Sequence, residues 1–301
     1  MSSLKGHPQD AINEEEIAST SLPLDSTLQE SGSARKPVNA FTKLMSSQKA
    51  NNEQSSPSET RPSRKLDFSR RDGLGAYTAD PESFKGSRVV YHNENFVVIN
   101  DLFPKSEVHL LLLPRDTSKQ LLHPFEAFKD PDFLALVKAE MIVVREYAAK
   151  ELKRRFRQNS RSEQVREAVL EKALLENLDL DPTDDSQVAA LDLPPGRDWH
   201  ASLISGVHAS PSMNHLHVHV LSTDRHSECM KHRKHYNSFA TPFLVPVEDL
   251  PLQEDDLRWH PGRAGYLDEN MRCWRCRKDF GNKFKRLKEH LEEEFESWKS
   301  E

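Results

Sequence analysis

Eight of the fourteen histidines of this chain lie within a single stretch of residues 200–235. These are His200, His208, His215, His217, His219, His226, His232 and His235. Three of them alternate with apolar residues in the run His215–Leu221. Alternate side chains of an extended strand share one face. The run therefore predicts a strand with three imidazoles on one side and apolar packing on the other.

Three kinds of chemistry are compatible with this alternation. A polar, solvent-facing strand can carry histidines that have no function. Two histidines separated by one residue on a strand can also bind a metal ion. In the third interpretation, a neutral imidazole attacks phosphorus and later leaves from the intermediate, while neighbouring rings orient it and stabilise charge on the phosphate oxygens.

A second group of candidate ligands lies near the C-terminal end. Cys273 and Cys276 have the spacing of a zinc knuckle, which needs two further ligands. A predicted helix over 284–298 places His290 and Glu294 four residues apart on one face. The set differs from a two-cysteine, two-histidine finger only in its last ligand, and a carboxylate binds zinc acceptably. We predict one structural Zn²⁺; in the alternative, water or another residue replaces Glu294.

The same segment is locally basic. Eight basic and two acidic residues lie between Met271 and His290, in a chain whose net charge is -6. Lysine and arginine neutralise phosphates without reading base sequence. The alternative is that these residues form an ordinary solvated surface. The candidate nucleic-acid contacts are Arg275, Lys278, Lys283 and Lys285 in this segment, together with Lys231 and Lys234 after the histidine run.

Composition limits the class of protein. The chain has 301 residues, 30% of them charged, and a mean hydropathy of -0.74. Its net negative charge argues against a protein that coats nucleic acid uniformly, so any such surface must be local. Three cysteines do not suggest a disulfide scaffold and favour a reducing compartment. The N-terminus lacks a signal peptide, and the longest apolar run, Val108–Pro114, is too short to span a bilayer, so we expect no membrane partner.

The first 66 residues are rich in Ser, Gln, Glu, Pro and Lys, and we predict that residues 1–66 form a disordered tail. Within the tail, residues 36–45 can form a short amphipathic helix after Pro37. This segment is either an accidental apolar patch or a docking peptide for a partner protein. Basic residues over 61–71 are compatible with nuclear import.

The elements that must position the histidines suggest an α+β domain with an antiparallel sheet and flanking helices. The predicted strands are Arg88–His92, Phe96–Asn100, Val108–Leu113, Trp199–Ser205 and His215–Leu221. Helical spacing begins at Pro131, and 155–178 is also helix-like, whereas the acidic stretch 179–195 is predicted to be a loop. We predict a catalytic domain over 67–250, with a charged insertion at 151–198, and a zinc-finger module over 251–301.

The histidine run resembles the signature of the histidine-triad (HIT) nucleotide hydrolases and transferases. Three segments, Gly206–His219, Phe103–Ser106 and Lys234–Phe239, resemble the aprataxin family, particularly its fungal members. The glutamate-terminated finger is similar to the finger of the same fungal proteins. The resemblance covers roughly residues 69–250 and 260–301, and it implies a HIT-type antiparallel sheet.

The resemblance also implies roles for the four central histidines. His217 would be the nucleophile that forms a nucleotidyl-histidine intermediate. His219 would contact the phosphate, and His215 would support the ring of its neighbour. His208 would protonate or neutralise the departing 5′-phosphate.

Four further residues match positions around the family's nucleotide pocket. Asp101 would hold the ribose hydroxyls, and Ser212 would offer a hydroxyl and a backbone N–H to the phosphate. Lys105 would lie close to the pocket entry, and His109 would support the triad from behind. For Lys105 and His109, a surface lysine and a core histidine are the alternatives.

The implied reaction is hydrolysis of 5′-adenylated DNA ends, which abortive ligation leaves, with release of AMP. The family also removes guanylate from 3′ ends. We expect no cofactor for catalysis, DNA as the partner, and a nuclear location, with the cytoplasm as a second location. The alternatives are a dinucleotide polyphosphate or phosphoramidate hydrolase, which gives no reason for a basic finger, and a non-catalytic protein that binds DNA ends.

Overall fold

The computed structural model describes residues 70–176, 181 and 183–301. The predictions for the tail, including the docking peptide at 36–45, lie outside the described residues. Within the described residues, no helix is long and apolar enough to cross a membrane.

Six antiparallel strands form one sheet in the order β1-β2-β3-β5-β4-β6. The strands are β1 (Val89–His92), β2 (Phe96–Asn100), β3 (His109–Pro114), β4 (Leu203–His208), β5 (Val218–Ser222) and β6 (Leu244–Val245). A separate pair, β7 (Met271–Arg272) and β8 (Asp279–Gly281), belongs to the finger. The predicted α+β class with an antiparallel sheet is confirmed.

Eight α-helices of the described residues surround the sheet. They are α1 (Gly75–Ala79), α2 (Pro124–Ala127), α3 (Pro131–Phe156), α4 (Arg161–Glu176), α5 (Asp185–Ala189), α6 (Arg233–Ala240), α7 (Pro261–Ala264) and α8 (Phe284–Lys299). Short 3₁₀ helices occupy Arg70–Asp72, Pro81–Phe84, Val247–Asp249, Leu257–Trp259 and Tyr266–Asp268.

The long helix α3 covers one face of the sheet. Asp130 caps its first turn by accepting hydrogen bonds from two backbone N–H groups, and Pro131 occupies a position where no N–H is needed. Val137 and Val144 of this helix are buried in one core with Leu112 and other residues of the central strands. On the opposite face, Leu111 is buried in a second apolar cluster with Tyr77 of α1, and His219 lies across from Leu111 on the neighbouring strand.

A predicted strand and a predicted helix have different bounds in the structure. The predicted strand Trp199–Ser205 lies at Leu203–His208 instead, so that His208 belongs to a strand. The helix predicted over 155–178 is interrupted: α3 ends at Phe156, and α4 starts at Arg161 after a turn whose Ser160 hydroxyl accepts from the Glu163 amide at 3.4 Å. This is an N-cap hydrogen bond, which starts a new helix at Arg161.

Gly206 lies where β4 and β6 come closest together. A Cβ atom added to this glycine would stand 2.4 Å from the Val245 carbonyl oxygen, which is closer than any real contact. The strand pairing that follows it, Val207 with Val245 and His208 with Leu244, therefore requires glycine at this position.

The segment predicted as a charged insertion packs on the C-terminal helix. Glu163 of α4 is 2% exposed and accepts hydrogen bonds from the Trp199 indole at 3.0 Å and the Arg197 amide at 3.2 Å. The Arg161 amide donates to the Ser300 carbonyl at 3.2 Å. The acidic stretch predicted as a loop contains α5, and part of it lies outside the described residues.

The finger shares apolar packing with the sheet domain. Tyr236 of α6 is buried with Leu287 and Leu291 of α8, and Phe295 and Trp298 of the same helix join the main core. These contacts hold α8 against the sheet domain.

A charged histidine joins the same two parts. The His226 ring stacks on Phe295 at 4.1 Å, and its two nitrogens lie 3.2 Å from a Glu107 oxygen and 2.9 Å from a Glu292 oxygen. Hydrogen bonding to Glu107, supported by Glu292 and opposed by burial, raises the pKa of His226 to about 9. His226 is therefore positively charged at neutral pH.

Candidate active site and metal centre

The histidine run enters the sheet later than predicted. Strand β5 starts at Val218, so the predicted strand His215–Leu221 is wrong for its first three residues. The Leu216 amide donates at 2.7 Å to the Gln120 carbonyl of a loop instead of to β3. The neighbouring strand ends at Pro114, which has no amide hydrogen to continue the pairing. Leu216 and Val218 are nevertheless both buried in the main core.

His217 is held in one tautomer by the main chain. Its Nδ1 lies 2.7 Å from the His215 carbonyl oxygen, which can only accept, so Nδ1 carries the proton. In the neutral ring, Nε2 then has a free lone pair. A lone pair of this kind is what a nucleophile needs. His215 thus acts on His217 through its carbonyl group, and its own Nδ1 is buried without a hydrogen-bond partner.

A chain of hydrogen bonds fixes the neighbouring rings. The Lys105 amide donates to His109 Nδ1 at 3.1 Å, so the proton of the neutral His109 ring is on Nε2. His109 Nε2 lies 3.0 Å from His219 Nδ1 and donates to it. The proton of the neutral His219 ring is therefore on Nε2, which is buried without a partner. This N–H is a free donor beside His217.

The rings of four side chains meet around His219. Its centroid lies 4.8 Å from that of His217 and 4.4 Å from that of His208. Phe239 of α6 packs against His208 at 4.7 Å and His219 at 5.1 Å. His208 Nε2 is also buried without a partner. Phe239 was not among the predicted site residues, although it lies in a segment that resembles the family.

Burial controls protonation in this cluster. It lowers the pKa of His217, places the pKa values of His208 and His219 well below their ordinary value, and lowers the pKa of His109 to about 4. The four rings are consequently neutral at pH 7. Neutral imidazole is the nucleophilic form.

Asp101 is the carboxylate that contacts these rings. Its Oδ2 lies 3.5 Å from His109 Nε2, and its Oδ1 accepts from the Phe103 amide at 2.8 Å. Burial opposes ionisation, but His109, Lys105 and the Phe103 amide outweigh it, and the pKa of Asp101 is lowered. Lys105 is buried and donates to the Phe103 carbonyl at 2.7 Å, so it lies inside the site instead of at an exposed entry.

The metal interpretation of the histidines has a partial basis. Ligand atoms of Asp101, His109 and His219 lie within 4.8 Å of one another, a spacing that can hold a metal ion. His217 is not a member of this group. The hydrogen bonds among the three residues provide a second explanation for their proximity.

The loop that carries Ser212 is held by Arg71, which was not among the predicted site residues. Arg71 Nε donates to the Ser212 carbonyl at 2.9 Å, and the Asn214 amide donates to the Arg71 carbonyl at 3.0 Å. Ser212 itself is half-buried. No local pattern identifies Arg71, because its side-chain partners are 140 residues away or more.

The structure brings together the four predicted ligands of the finger. Ligand atoms of Cys273, Cys276, His290 and Glu294 all lie within 4.8 Å of one another. His290 Nε2 is 3.1 Å from Cys276 Sγ and 3.1 Å from Glu294 Oε1. Tetrahedral zinc with bonds of about 2.0 to 2.3 Å places its ligand atoms about 3.3 to 3.7 Å apart, so the donor set fits Zn²⁺ after a small adjustment.

The predicted nucleic-acid contacts lie in different environments. Arg275 donates to Glu294 Oε2 at 2.8 Å and also pairs with Glu301, so its charge is already compensated. Two of the lysines, Lys283 and Lys285, are exposed at the start of α8, and Lys278 is exposed over the ring of the neighbouring phenylalanine. In the other group, Lys231 and Lys234 are partly exposed near the start of α6.

Two family models match the chain. The HIT domain covers residues 83–226, and the C2HE / C2H2 / C2HC zinc-binding finger covers residues 240–297. An aprataxin-like protein of Schizosaccharomyces pombe is 31% identical over 266 residues, which cover 88% of this chain and 97% of that protein. An aprataxin-like protein of Saccharomyces cerevisiae is 34% identical over 76% of this chain and 98% of its own length.

Solved structures agree with these relatives. The crystal structure of the aprataxin ortholog Hnt3 from Schizosaccharomyces pombe matches with a TM-score of 0.56 and 31% identity, over 76% of this chain and 95% of that one. A structure of Hnt3 in complex with DNA and guanosine matches with a TM-score of 0.50 and 31% identity, over 76% of this chain and 97% of that one.

Proposed function

Because this chain belongs to the aprataxin family of histidine-triad proteins, we propose that it is a DNA-repair hydrolase that removes AMP from 5′-adenylated DNA ends. The observation that carries the proposal is the hydrogen bond from His217 Nδ1 to the His215 carbonyl, which leaves a lone pair on Nε2. We place its action in the nucleus, where such ends arise.

In the first step, His217 Nε2 attacks the phosphorus of the adenylate. A phosphorus–nitrogen bond forms, and the bond to the bridging oxygen of the DNA 5′-phosphate breaks. The free Nε2–H of His219 donates to a non-bridging oxygen and stabilises the developing charge. His208, whose ring is adjacent to that of His219 and whose Nε2 is buried without a partner, contacts the departing phosphate by a hydrogen bond.

In the second step, water attacks the same phosphorus. The water oxygen forms a bond to phosphorus as the phosphorus–nitrogen bond breaks, and one water proton passes to solvent. AMP leaves, and the neutral imidazole is restored with its proton on Nδ1. Asp101 holds the ribose through its ionised carboxylate, and Ser212 contacts the phosphate from its loop. Lys105 serves chiefly through its amide, which sets the tautomers of His109 and His219.

The finger has a structural role in this proposal. The four ligands described above would hold the zinc ion, which would keep β7, β8 and the start of α8 together. The exposed Lys283 and Lys285 would contact DNA phosphates. Arg275 has a different task, since it orients the Glu294 carboxylate through the second oxygen.

Removal of 3′-guanylate is a second candidate activity. The solved Hnt3 complex with DNA and guanosine favours it, because the same pocket would then accept a guanine nucleotide. Parallel single-turnover assays on adenylated and guanylated ends would measure the preference.

Mass spectrometry after brief mixing with adenylated DNA tests the central step. We expect one adenylyl group on the peptide that contains His217, which appears and then decays as AMP is released. Modification of another residue, or turnover without any covalent intermediate, would overturn the mechanism. Faster turnover of a free dinucleotide than of adenylated DNA would favour the polyphosphate hydrolase, and DNA binding without turnover would favour an end-binding protein.

A further inference from the structure

A cavity of about 610 Å³ lies between the catalytic domain and the finger. Its walls come from β4, the segment after β5, helix α6 and the finger loop around β7, and none of its lining residues belongs to the triad site. The charged residues of the lining are Arg225, Arg272, Arg277 and Glu269. Arg272 also pairs at 3.4 Å with Asp279, which is not part of the lining. Three guanidinium groups therefore share the cavity with one carboxylate, in a protein whose net charge is -6.

Arg225 is a buried cation in this wall. Arg225 is 8% exposed. Its two terminal nitrogens donate to the Thr223 carbonyl at 3.0 Å and to the Phe239 carbonyl at 2.8 Å. Its Nε is buried without a hydrogen-bond partner. The neighbouring Asp224 makes no hydrogen bond to this guanidinium group, because its Oδ1 accepts from the Glu107 and His226 amides and its Oδ2 is buried without a partner. A buried cation is costly unless an anion accompanies it.

Two further groups of the lining have unused capacity for an anion. The indole Nε1 of Trp274 is buried without a hydrogen-bond partner. Arg277 is exposed. Burial is the largest cause that lowers the pKa of Arg225, and the positive charge of the nearby Arg277 lowers it further. Two repelling guanidinium groups and an unused N–H donor are the groups that an oxyanion would satisfy together.

We propose that this cavity is a second phosphate-binding site, distinct from the triad, which takes the phosphate group of a nucleotide. Guanidinium groups match phosphate oxygens in geometry and charge. The volume lies within the range of small-molecule sites. The nucleotide is either free or part of a nucleic-acid strand, and both sources share this chemistry. This inference goes beyond the proposed function, because phosphate binding in the cavity does not depend on the triad being a hydrolase.

The Trp274 indole N–H gives a signal that reports on this cavity and not on the triad. We would titrate the zinc-loaded full chain with inorganic phosphate, AMP and a short single-stranded oligonucleotide, and record ¹H–¹⁵N spectra of the four indole groups. A Trp274→Phe variant assigns the signal. We expect a saturable shift of the Trp274 signal with at least one of the three probes.

Charge variants test whether the arginines are responsible. Arg272→Gln combined with Arg277→Gln changes two exposed residues of the lining, and we expect the affinity to fall roughly tenfold. The matched control, Arg263→Gln combined with Arg286→Gln, removes the same charge from exposed residues outside the cavity and should bind as the unmodified chain does. The buried Arg225 is left intact so that the variants fold.

The outcomes distinguish a free nucleotide from a nucleic-acid strand, and they include results that would overturn the proposal. A shift with AMP assigns a free nucleotide, and a shift with the oligonucleotide alone assigns a strand; both support the site. No shift with any probe, a shift that chloride reproduces at equal ionic strength, or an undiminished affinity of the Arg272/Arg277 variant would overturn it. Turnover of adenylated DNA, measured separately, tests the proposed function and does not enter this result.

Discussion

The triad site and the finger use the same side chain for different purposes. In the triad, His217 donates from one nitrogen to a carbonyl group and keeps a lone pair on the other, among neutral, buried rings. In the finger, His290 Nε2 is 3.1 Å from both a cysteine sulfur and a glutamate oxygen. The partners of an imidazole, and not its presence, therefore distinguish a ring suited to nucleophilic attack from a ring suited to metal binding.

The largest effect is expected from removing His217, the proposed nucleophile of the triad. His217→Ala should lower single-turnover de-adenylation on the order of 10³-fold or more, because the attacking lone pair is lost. DNA affinity, measured by fluorescence anisotropy, should be retained. His200→Ala is the control, because this exposed ring pairs with Glu146 away from the triad. Full activity of the His217 variant would exclude this residue as the nucleophile.

The next largest effect is expected from removing the predicted glutamate ligand of the finger. Glu294→Ala should weaken zinc binding by about 100-fold, because it removes a ligand and leaves an open position. Competition with a chelator measures the affinity. Glu296→Ala is the matched control, since this side chain is 61% exposed and pairs with Lys299 instead of with a predicted zinc ligand. Equal zinc affinity of the two variants would show that another group completes the site.

His226 differs from both His217 and His290, because it is charged and paired with carboxylates. We expect its effect on the stability of the fold. The pKa of His226 is raised to about 9, so its stabilisation is complete below the unfolded-state pKa of about 6.5 and is lost as the pH rises through about 9. His226→Gln should therefore lower the free energy of unfolding by about 1 kcal/mol at neutral pH and by less above pH ~9. Denaturant unfolding at several pH values measures this, and a constant difference would contradict it.

The smallest effect is expected from the pH dependence of the triad. Because burial lowers the pKa of His217, the neutral nucleophile persists below the ordinary histidine pKa of about 6.5. The value of kcat/KM should therefore stay flat as the pH falls from about 8 to about 6.5. A half-maximal value at or above pH ~6.5 would mean that His217 titrates like an exposed histidine.

The two sites differ in how far sequence could predict them. The finger ligands follow from local rules, since Cys273 and Cys276 are close in the chain and His290 and Glu294 share a helix face. The triad depends on distant partners: the Gln120 carbonyl takes the amide of the residue before His217, and the Lys105 amide sets the tautomer of His109. No local pattern contains these contacts, which is why the predicted strand began three residues too early.

The fold was predictable where apolar residues form short runs that are bounded by a turn. Strands Val89–His92 and Phe96–Asn100 were predicted to within one residue, because apolar residues and an Asn-rich turn define them. The break between α3 and α4 was missed, because the charged residues around it fit a continuous helix. The pairing of Arg275 with Glu301 was also missed, since it depends on how α8 ends against the finger loop.

Gly206 is a position at which an inherited substitution would damage this protein. Any side chain at this position would press on the Val245 carbonyl and push β6 away from β4, and His208 is held by that pairing. A single-base change at a codon with no chemical role can therefore silence the enzyme while every histidine remains in the sequence. Surveys of natural variants that inspect only reactive residues would overlook it.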